Sequence, residues 1–283
     1  MKYLDSKLIT DAVKAAYLEI CCNVDSGAAE ALITAEKEER RELARFALTI
    51  MNENIRLARE CSIAACQDTG MAVVFVDIGQ DLHVIGDIEE AINIGVREAY
   101  RDYFRKSVLD PLKRSNTGDN TPAVIHYNIV KGDKLSLSMM AKGFGSENMS
   151  ALRMLTPAEG EDGIKKFVID TVIAAGGCAC PPVIVGVGIG GTMERAAIMA
   201  KHSLLRDVGS ENPDKKLDEL EKALLKSINE SGVGAQGLGG DTTALEVFIE
   251  SFPTHIAGLP VAVNMQCHCS RHKQIILEGR EDA

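Results

Sequence analysis

The sequence predicts an α/β fold: a single large domain, residues 1–283, in which a helical N-terminal part (1–65) leads into a sheet-containing part (66–283) with mixed β-sheets flanked by helices. From Asp5 to about Ala65 apolar residues recur every three or four positions. Leu48, Met51 and Ile55 share one stripe, and the charged run Glu36-Lys37-Glu38-Glu39-Arg40 falls largely off it. Beyond Ala65, short runs rich in Val, Ile and Phe alternate with helix-spaced segments, as a sheet with flanking helices requires. The 25 Gly, 7 Phe and no Trp imply many tight turns around an aliphatic core.

Taken in order, Gln67-Asp68-Thr69-Gly70 breaks the helical pattern, and Met71 to Ile78 reads as a largely buried strand. Asp87 caps a helix carrying Ile88, Ala91, Ile92, Val96, Ala99 and Tyr100. Ala123–Val130 and Lys134–Ala141 read as a hairpin around Lys131-Gly132-Asp133. Thr156-Pro157-Ala158-Glu159 has the order of a helix start, with the helix continuing to Ala175. Val183–Val187 is a strand, Thr192–Leu205 and Asp214–Ser231 are helices, and strands follow at Thr243–Glu250 and Leu259–Met265. Most of the charged face of the helix at 214–231 is expected to be solvated.

A net charge of −10 excludes binding to nucleic acid or to an anionic membrane surface, because both need a positive field. An anionic substrate must therefore meet local cations. The opening residues lack the apolar stretch of a secretory leader, so a cytoplasmic protein is expected. Thr171–Met193 carries no charge, but Pro181, Pro182 and its glycines would break a lipid-exposed helix; it reads as a buried strand with loops.

Gly186-Val187-Gly188-Ile189-Gly190-Gly191 matches a dinucleotide fingerprint and lies between a strand and a helix. That reading needs a returning parallel strand ending in an acid, whereas Asp207 leads into Asn212-Pro213 and a second helix. The plainer reading is that these glycines allow close backbone approach to a buried site.

Eight cysteines in an acidic chain without a leader point to thiol chemistry or metal rather than to disulfides. Cys21, Cys22 and Cys61 lie in helical pattern and read as small core residues. Cys66, Cys180 and Cys267 sit in turns beside predicted strands, where folding can bring their loops to one sheet edge. Three thiolates can hold an iron–sulfur cube by three irons and leave the fourth open as a Lewis acid. Zinc is the rival metal, but the close pairs here are Cys-x-Cys, at Cys178/Cys180 and Cys267/Cys269, not Cys-x-x-Cys knuckles. Pro181 is expected to hold Cys180 extended.

Several stretches together resemble the iron–sulfur class I fumarate hydratase family, in particular the alpha subunit of its two-subunit form. They are Ala65-Cys66-Gln67-Asp68-Thr69-Gly70, Asn116-Thr117-Gly118, Ala141-Lys142-Gly143-Phe144-Gly145-Ser146-Glu147-Asn148, Cys180-Pro181-Pro182-Val183 through Gly190-Gly191-Thr192, Gly234-Ala235-Gln236-Gly237 and Gln266-Cys267-His268. The resemblance runs from about residue 40 to residue 275. It implies a 4Fe–4S cluster on Cys66, Cys180 and Cys267, with Cys178 and Cys269 as second-choice ligands. It further implies substrate contacts from Gln67 and Asp68, from Arg105 at the end of the following helix, from the backbone of Gly143 to Gly145, and from His255. The implied reaction is reversible hydration of fumarate to malate. A beta subunit would carry the threonine base and further carboxylate-binding cations, in an assembly of two alpha and two beta subunits. Asp68 would orient that base rather than replace it. The alternatives are the alpha subunit of an L(+)-tartrate dehydratase and, in a different class, a non-catalytic zinc-binding protein that meets partners through its charged helix.

Overall fold

The computed structural model describes residues 2–102 and 104–281. In chain order, strand β1 (Lys2–Asp5) is followed by helices α1 (Ser6–Cys22), α2 (Ser26–Glu38) and α3 (Glu42–Cys61), strands β2 (Met71–Gly79) and β3 (Leu82–Ile85), and helix α4 (Ile88–Ala99). Next come β4 (Val124–Val130), β5 (Lys134–Lys142), the short helix α5 (Phe144–Glu147), β6 (Ala151–Leu155) and α6 (Gly160–Ala175). The remaining elements are β7 (Val183–Gly190), α7 (Met193–His202), α8 (Lys215–Glu230), β8 (Ala244–Phe252), β9 (Leu259–Gln266) and β10 (His272–Glu278). This is the α/β class with mixed sheets that the sequence predicts. Its opening differs at one point, because β1 precedes α1 and pairs in parallel with β3. No helix among the described residues is long and apolar enough to cross a membrane.

The chain forms two compact units, each assembled from separate stretches. The first takes described residues 2–24, 57–143 and 271–281. Its four-stranded sheet has the order β10-β5-β2-β4, with β2 antiparallel to β5 and parallel to β4. The run Ala72-Val73-Val74-Phe75-Val76 is buried throughout, so β2 needs cover on both faces and takes a central place. Helix α1 turns Ile9, Val13, Ala16, Tyr17 and Ile20 into the core shared with α4 and one face of this sheet. Asp5 caps α1 by accepting from the Lys7 amide, and Asp87 caps α4 through the Glu90 amide. The buried Tyr17 hydroxyl lies within donating distance of the Val73 and Met140 carbonyls, at 3.2 and 3.3 Å.

The predicted hairpin does not form, although both of its strands do. β2 lies between β4 and β5, and the link at Gly132 crosses the end of β2, where the Gln80 and Asp81 amides donate to Val130 and Gly132. A turn sequence specifies only a local reversal; the central position goes to the strand with two apolar faces.

The second unit takes residues 25–56 and 144–270. Its sheet has the order β6-β9-β7-β8, with β7 parallel to β8 and antiparallel to β9. Helices α6 and α8 bury Ile164, Val168, Val172, Leu220, Leu224 and Ile228 against Val185, Val187, Val247 and Val263. The predicted start of α6 is present: Thr156 and Glu159 form a reciprocal capping box with Pro157 in the first turn. Within the charged run at 36–40, Glu39 is buried, accepting from the Arg41 and Asp241 amides.

The glycine motif has a packing role. Gly186 and Gly188 lie inside β7, and a methyl on them would stand 2.1 Å from the Ala200 carbonyl oxygen and 2.0 Å from that of Ala196. The close approach is therefore to helix α7 and not to a buried site. The returning parallel strand does exist, as β8, but it comes only after both α7 and α8, and strand-embedded glycines offer no turn to cradle a pyrophosphate. Gly188→Ala is expected to force α7 off the sheet at a cost of about 3 kcal/mol or more. The measurement is a lowered urea midpoint with an unchanged slope.

Candidate functional site

In the first unit, the break between α3 and β2 carries Cys66, Gln67 and Asp68. Cys66 is half-buried, and its thiol lies 3.6 Å from the Gln67 side-chain oxygen, which accepts from it. Asp68 Oδ1 accepts from the Gly70 amide at 3.0 Å, which closes an Asx turn. Gly70 has φ +84°, and a Cβ there would lie 2.7 Å from the Ala141 carbonyl carbon, so the turn rests against the end of β5.

Two fastenings bring the Arg105 loop to this turn. The Thr69 hydroxyl donates to the Arg105 carbonyl at 2.7 Å. Asn120, fully buried, accepts from the Ser107 amide at 2.9 Å and donates to the Gly70 carbonyl at 3.2 Å. The resemblance implies that Arg105 ends a helix, and it does not. Helix α4 stops at Ala99 with Tyr100 as its cap, and Arg105 lies in the loop beyond, its side chain exposed. Gly143 follows β5, and a Cβ there would be 3.4 Å from Asp68 Oδ2 and 3.5 Å from Arg271 Nη2. Asp68 and Gly143 thus adjoin one turn, to which the Arg105 loop is tied.

Sequence reasoning missed two cations in this unit. Arg271 and Lys142 are 2% and 1% exposed, and the Lys142 ammonium donates to the Gly143 carbonyl at 3.2 Å. Both stand in or beside quoted motifs, but nothing in a linear sequence marks a cation as buried. Buried cations are rare, and both of these stand at Gly143 together with the Asp68 carboxylate.

In the second unit, Cys180 and Cys267 lie at one end of the sheet. Ile184 of β7 pairs with Gln266 of β9, so the residues before β7 and after β9 leave the sheet together. Their turns touch: His268 Nδ1 is 3.0 Å from the Cys180 carbonyl oxygen, which can only accept, so this nitrogen carries the proton. Cys180 is not extended. It ends a one-turn 3-10 helix (Gly176–Ala179) in the left-handed region, φ 55° and ψ 59°, which is uncommon for a residue with a side chain. The next residue is held as well, the Pro181 carbonyl accepting from both the Gln236 amide and its side chain. Gly145, on α5, faces the Cys178 carbonyl oxygen at 3.8 Å from its ideal Cβ position.

His255 is not brought to this end. The twelve-residue interval to Cys267 contains the whole of β9, an extended strand, and seven residue steps at strand rise span roughly 24 Å. His255 follows β8 at the opposite end of the sheet, exposed, its Nδ1 accepting from the Ala257 amide.

Burial sorts the cysteines. Cys21, Cys22 and Cys269 are buried, and burial pushes the Cys21 thiol up to about 11, which suits a core residue and not a ligand. Cys61 and Cys178 are exposed. The exposure of Cys61 corrects its expected place in the core. Cys66, Cys180 and Cys267 are half-buried, each in a turn next to a strand. Soft thiol donors of this kind, set in turns at strand ends, fit a thiolate-held iron–sulfur cluster.

Compared with known proteins, the chain matches the fumarate hydratase (fumerase) family over residues 10–276, a span containing every candidate residue from Cys66 to Cys267. The chain belongs to the fumarate hydratase family. A protein of Methanocaldococcus jannaschii, provisionally named L(+)-tartrate dehydratase subunit alpha, is 41% identical over 96% of this chain and 99% of its own length. The L(+)-tartrate dehydratase subunit alpha of Escherichia coli O157:H7 is 32% identical over 81% of this chain and 77% of its own. As a member of this hydratase and dehydratase alpha-subunit family the protein is a hydro-lyase, which sets aside the non-catalytic zinc-binding alternative.

Cys180→Gly is expected to leave the melting temperature of the metal-free chain unchanged or raised, because glycine accepts the left-handed conformation that cysteine resists by about 1 kcal/mol. Thr69→Val, which removes the clasp on the Arg105 carbonyl, is expected to cost about 1 kcal/mol. Faster hydrogen exchange along residues 104–110, relative to β2, would report it.

Proposed function

We propose that this chain is the alpha subunit of an iron–sulfur hydro-lyase that interconverts fumarate and (S)-malate in the cytoplasm, with residues 1–283 acting as one functional subunit. The observation that carries the reading is the Thr69 clasp, which ties the loop of a guanidinium, Arg105, to the turn of a thiol and a carboxylate, Cys66 and Asp68. Cys66, Cys180 and Cys267 would hold a 4Fe–4S cluster. When bound, such a cluster supplies Lewis acidity at the iron without a thiolate, toward hydroxyl and carboxylate oxygens.

The chain's own residues bind and orient. Arg105 would grip the far carboxylate of the substrate in two parallel hydrogen bonds, which fixes rotation as well as position. Gln67 would add a neutral amide to the same substrate, and the backbone at Gly143 and Gly145 would pass close to it because no Cβ intervenes. Lys142 and Arg271 favour a dianion at this corner of the first unit. Asp68, with Oδ1 engaged by the Gly70 amide, would steer the group that removes the carbon proton. That base is assigned to a beta subunit, in an assembly of two alpha and two beta subunits. His255 is given no step beside Cys267, since β9 separates them.

A second reading, L(+)-tartrate as substrate, is favoured by the names of the relatives just described. Tartrate carries one more hydroxyl than malate, and a site that leaves an extra hydroxyl unpaired would discriminate against it.

Anaerobic purification is expected to give about four iron and four sulfide per chain. Serine in place of Cys66, Cys180 or Cys267 should lower both counts and the visible absorbance, whereas Cys61→Ser should not; stoichiometric zinc without sulfide would refute the cluster. With a beta subunit added, rates on malate and L(+)-tartrate side by side decide the substrate. The chain alone is expected to turn over neither.

A further inference from the structure

Among the described residues β4 is the edge of the first unit's sheet, paired to β2 on one side only. The Val130 carbonyl accepts from Gln80, which continues the β2 side, so the even-numbered residues of β4 direct their backbone groups inward. In an extended strand the next residues point the other way. Ile125, Tyr127 and Ile129 therefore present N–H and C=O groups along the open edge.

Exposed edges of soluble proteins are usually blunted by lysine, proline or a bulge. β4 has none of these: its register with β2 runs unbroken from Val124 to Val130, and it carries no Asp, Glu, Lys or Arg. Its apolar side chains are instead exposed, Tyr127 at 44% and Ile129 at 75%.

The sequence of the strand is also symmetric. Val124-Ile125-His126-Tyr127-Asn128-Ile129-Val130 reads alike from either end about Tyr127, with His126 answered by Asn128. We propose that β4 is a self-association edge, pairing antiparallel with β4 of a second copy of this chain about a two-fold axis through Tyr127.

In that register Tyr127 faces its own copy and Ile125 faces the copy's Ile129, so every outward-pointing residue meets an outward-pointing residue. A shift by a single residue would break that match. All the cross-strand pairs are apolar or neutral: Val with Val, Ile with Ile, Tyr with Tyr, His with Asn. This is the self-complementarity that a two-fold interface demands. The strand itself bears no charge, so the copies' repulsion at net charge −10 comes from its neighbours, Asp87 and Glu89 among them, and is screened by salt. The result is one continuous eight-stranded sheet. The inference does not depend on the substrate or the cluster.

Sedimentation of the full chain at micromolar concentration tests it, in about 0.3 M salt to screen Asp87 and Glu89, whose charges reach Tyr127. The expected result is a dimer that Tyr127→Lys converts to a monomer of unchanged melting temperature. Should that variant fold poorly, Tyr127→Cys decides: directly opposed residues on paired strands lie about 5.5 Å apart at Cα, within disulfide reach. Oxidation should link Tyr127→Cys into a dimer, while the parent and Ile129→Cys, whose thiols would face isoleucine, stay unlinked. A monomeric parent, or a dimer that Tyr127→Cys fails to lock, overturns the proposal.

Discussion

The pairing of β7 with β9 is the constraint on which the placement of the second unit's candidate cysteines depends. Because the strands are antiparallel and in register from Ile184/Gln266 to Ile189/Val261, the chain before β7 and the chain after β9 must leave the sheet at the same end. Two cysteines 87 positions apart in sequence become neighbours by that fact alone. The histidine proton on the Cys180 carbonyl then fixes the two turns to each other. The glycines of β7 serve the same arrangement from the other side, since they let α7 lie directly on the strand.

The first unit solves a different problem. Its candidate binding groups come from a turn, a long loop and the end of a strand, none of which is rigid by itself. Short side chains supply the rigidity: Thr69, Asn120 and Asp68 each spend their hydrogen bonds on backbone groups of neighbouring segments. The charged residues are thereby left for chemistry. Three cations belong to this unit's turn and loop region, Arg271 and Lys142 beneath the surface and Arg105 upon it.

What could be read from the sequence follows from how local each signal is. The buried run of β2, the capping box before α6 and the cap at Asp87 are decided by residues within a few positions, and all were legible. The hairpin failed because pairing is decided by a third strand far along the chain. β6 and β10 were missed because their alternation is weak, with only Leu155 buried in β6 and no residue fully buried in β10. At the candidate site, turn residues marked Cys66, Cys180 and Cys267 as candidates, and the structure leaves these three half-buried. The resemblance also implies a contact from His255, whose distance from Cys267 could not be read from the sequence, since twelve residues mean proximity in a loop and a wide separation in a strand. The burial of Arg271 and Lys142 was invisible for the same reason: enclosure is a property of the fold.

The interleaving of the units bears on how the protein is made. β10, the last strand, seals the edge of β5 in the first unit, yet it is separated from β5 by the whole of the sheet-forming part of the second unit. During synthesis the β5 edge must wait unpaired until the chain has emerged through residue 278. Such late closure makes for slow maturation and a long exposure to chaperones, and nicking or truncation near residue 270 would leave that sheet without its final strand.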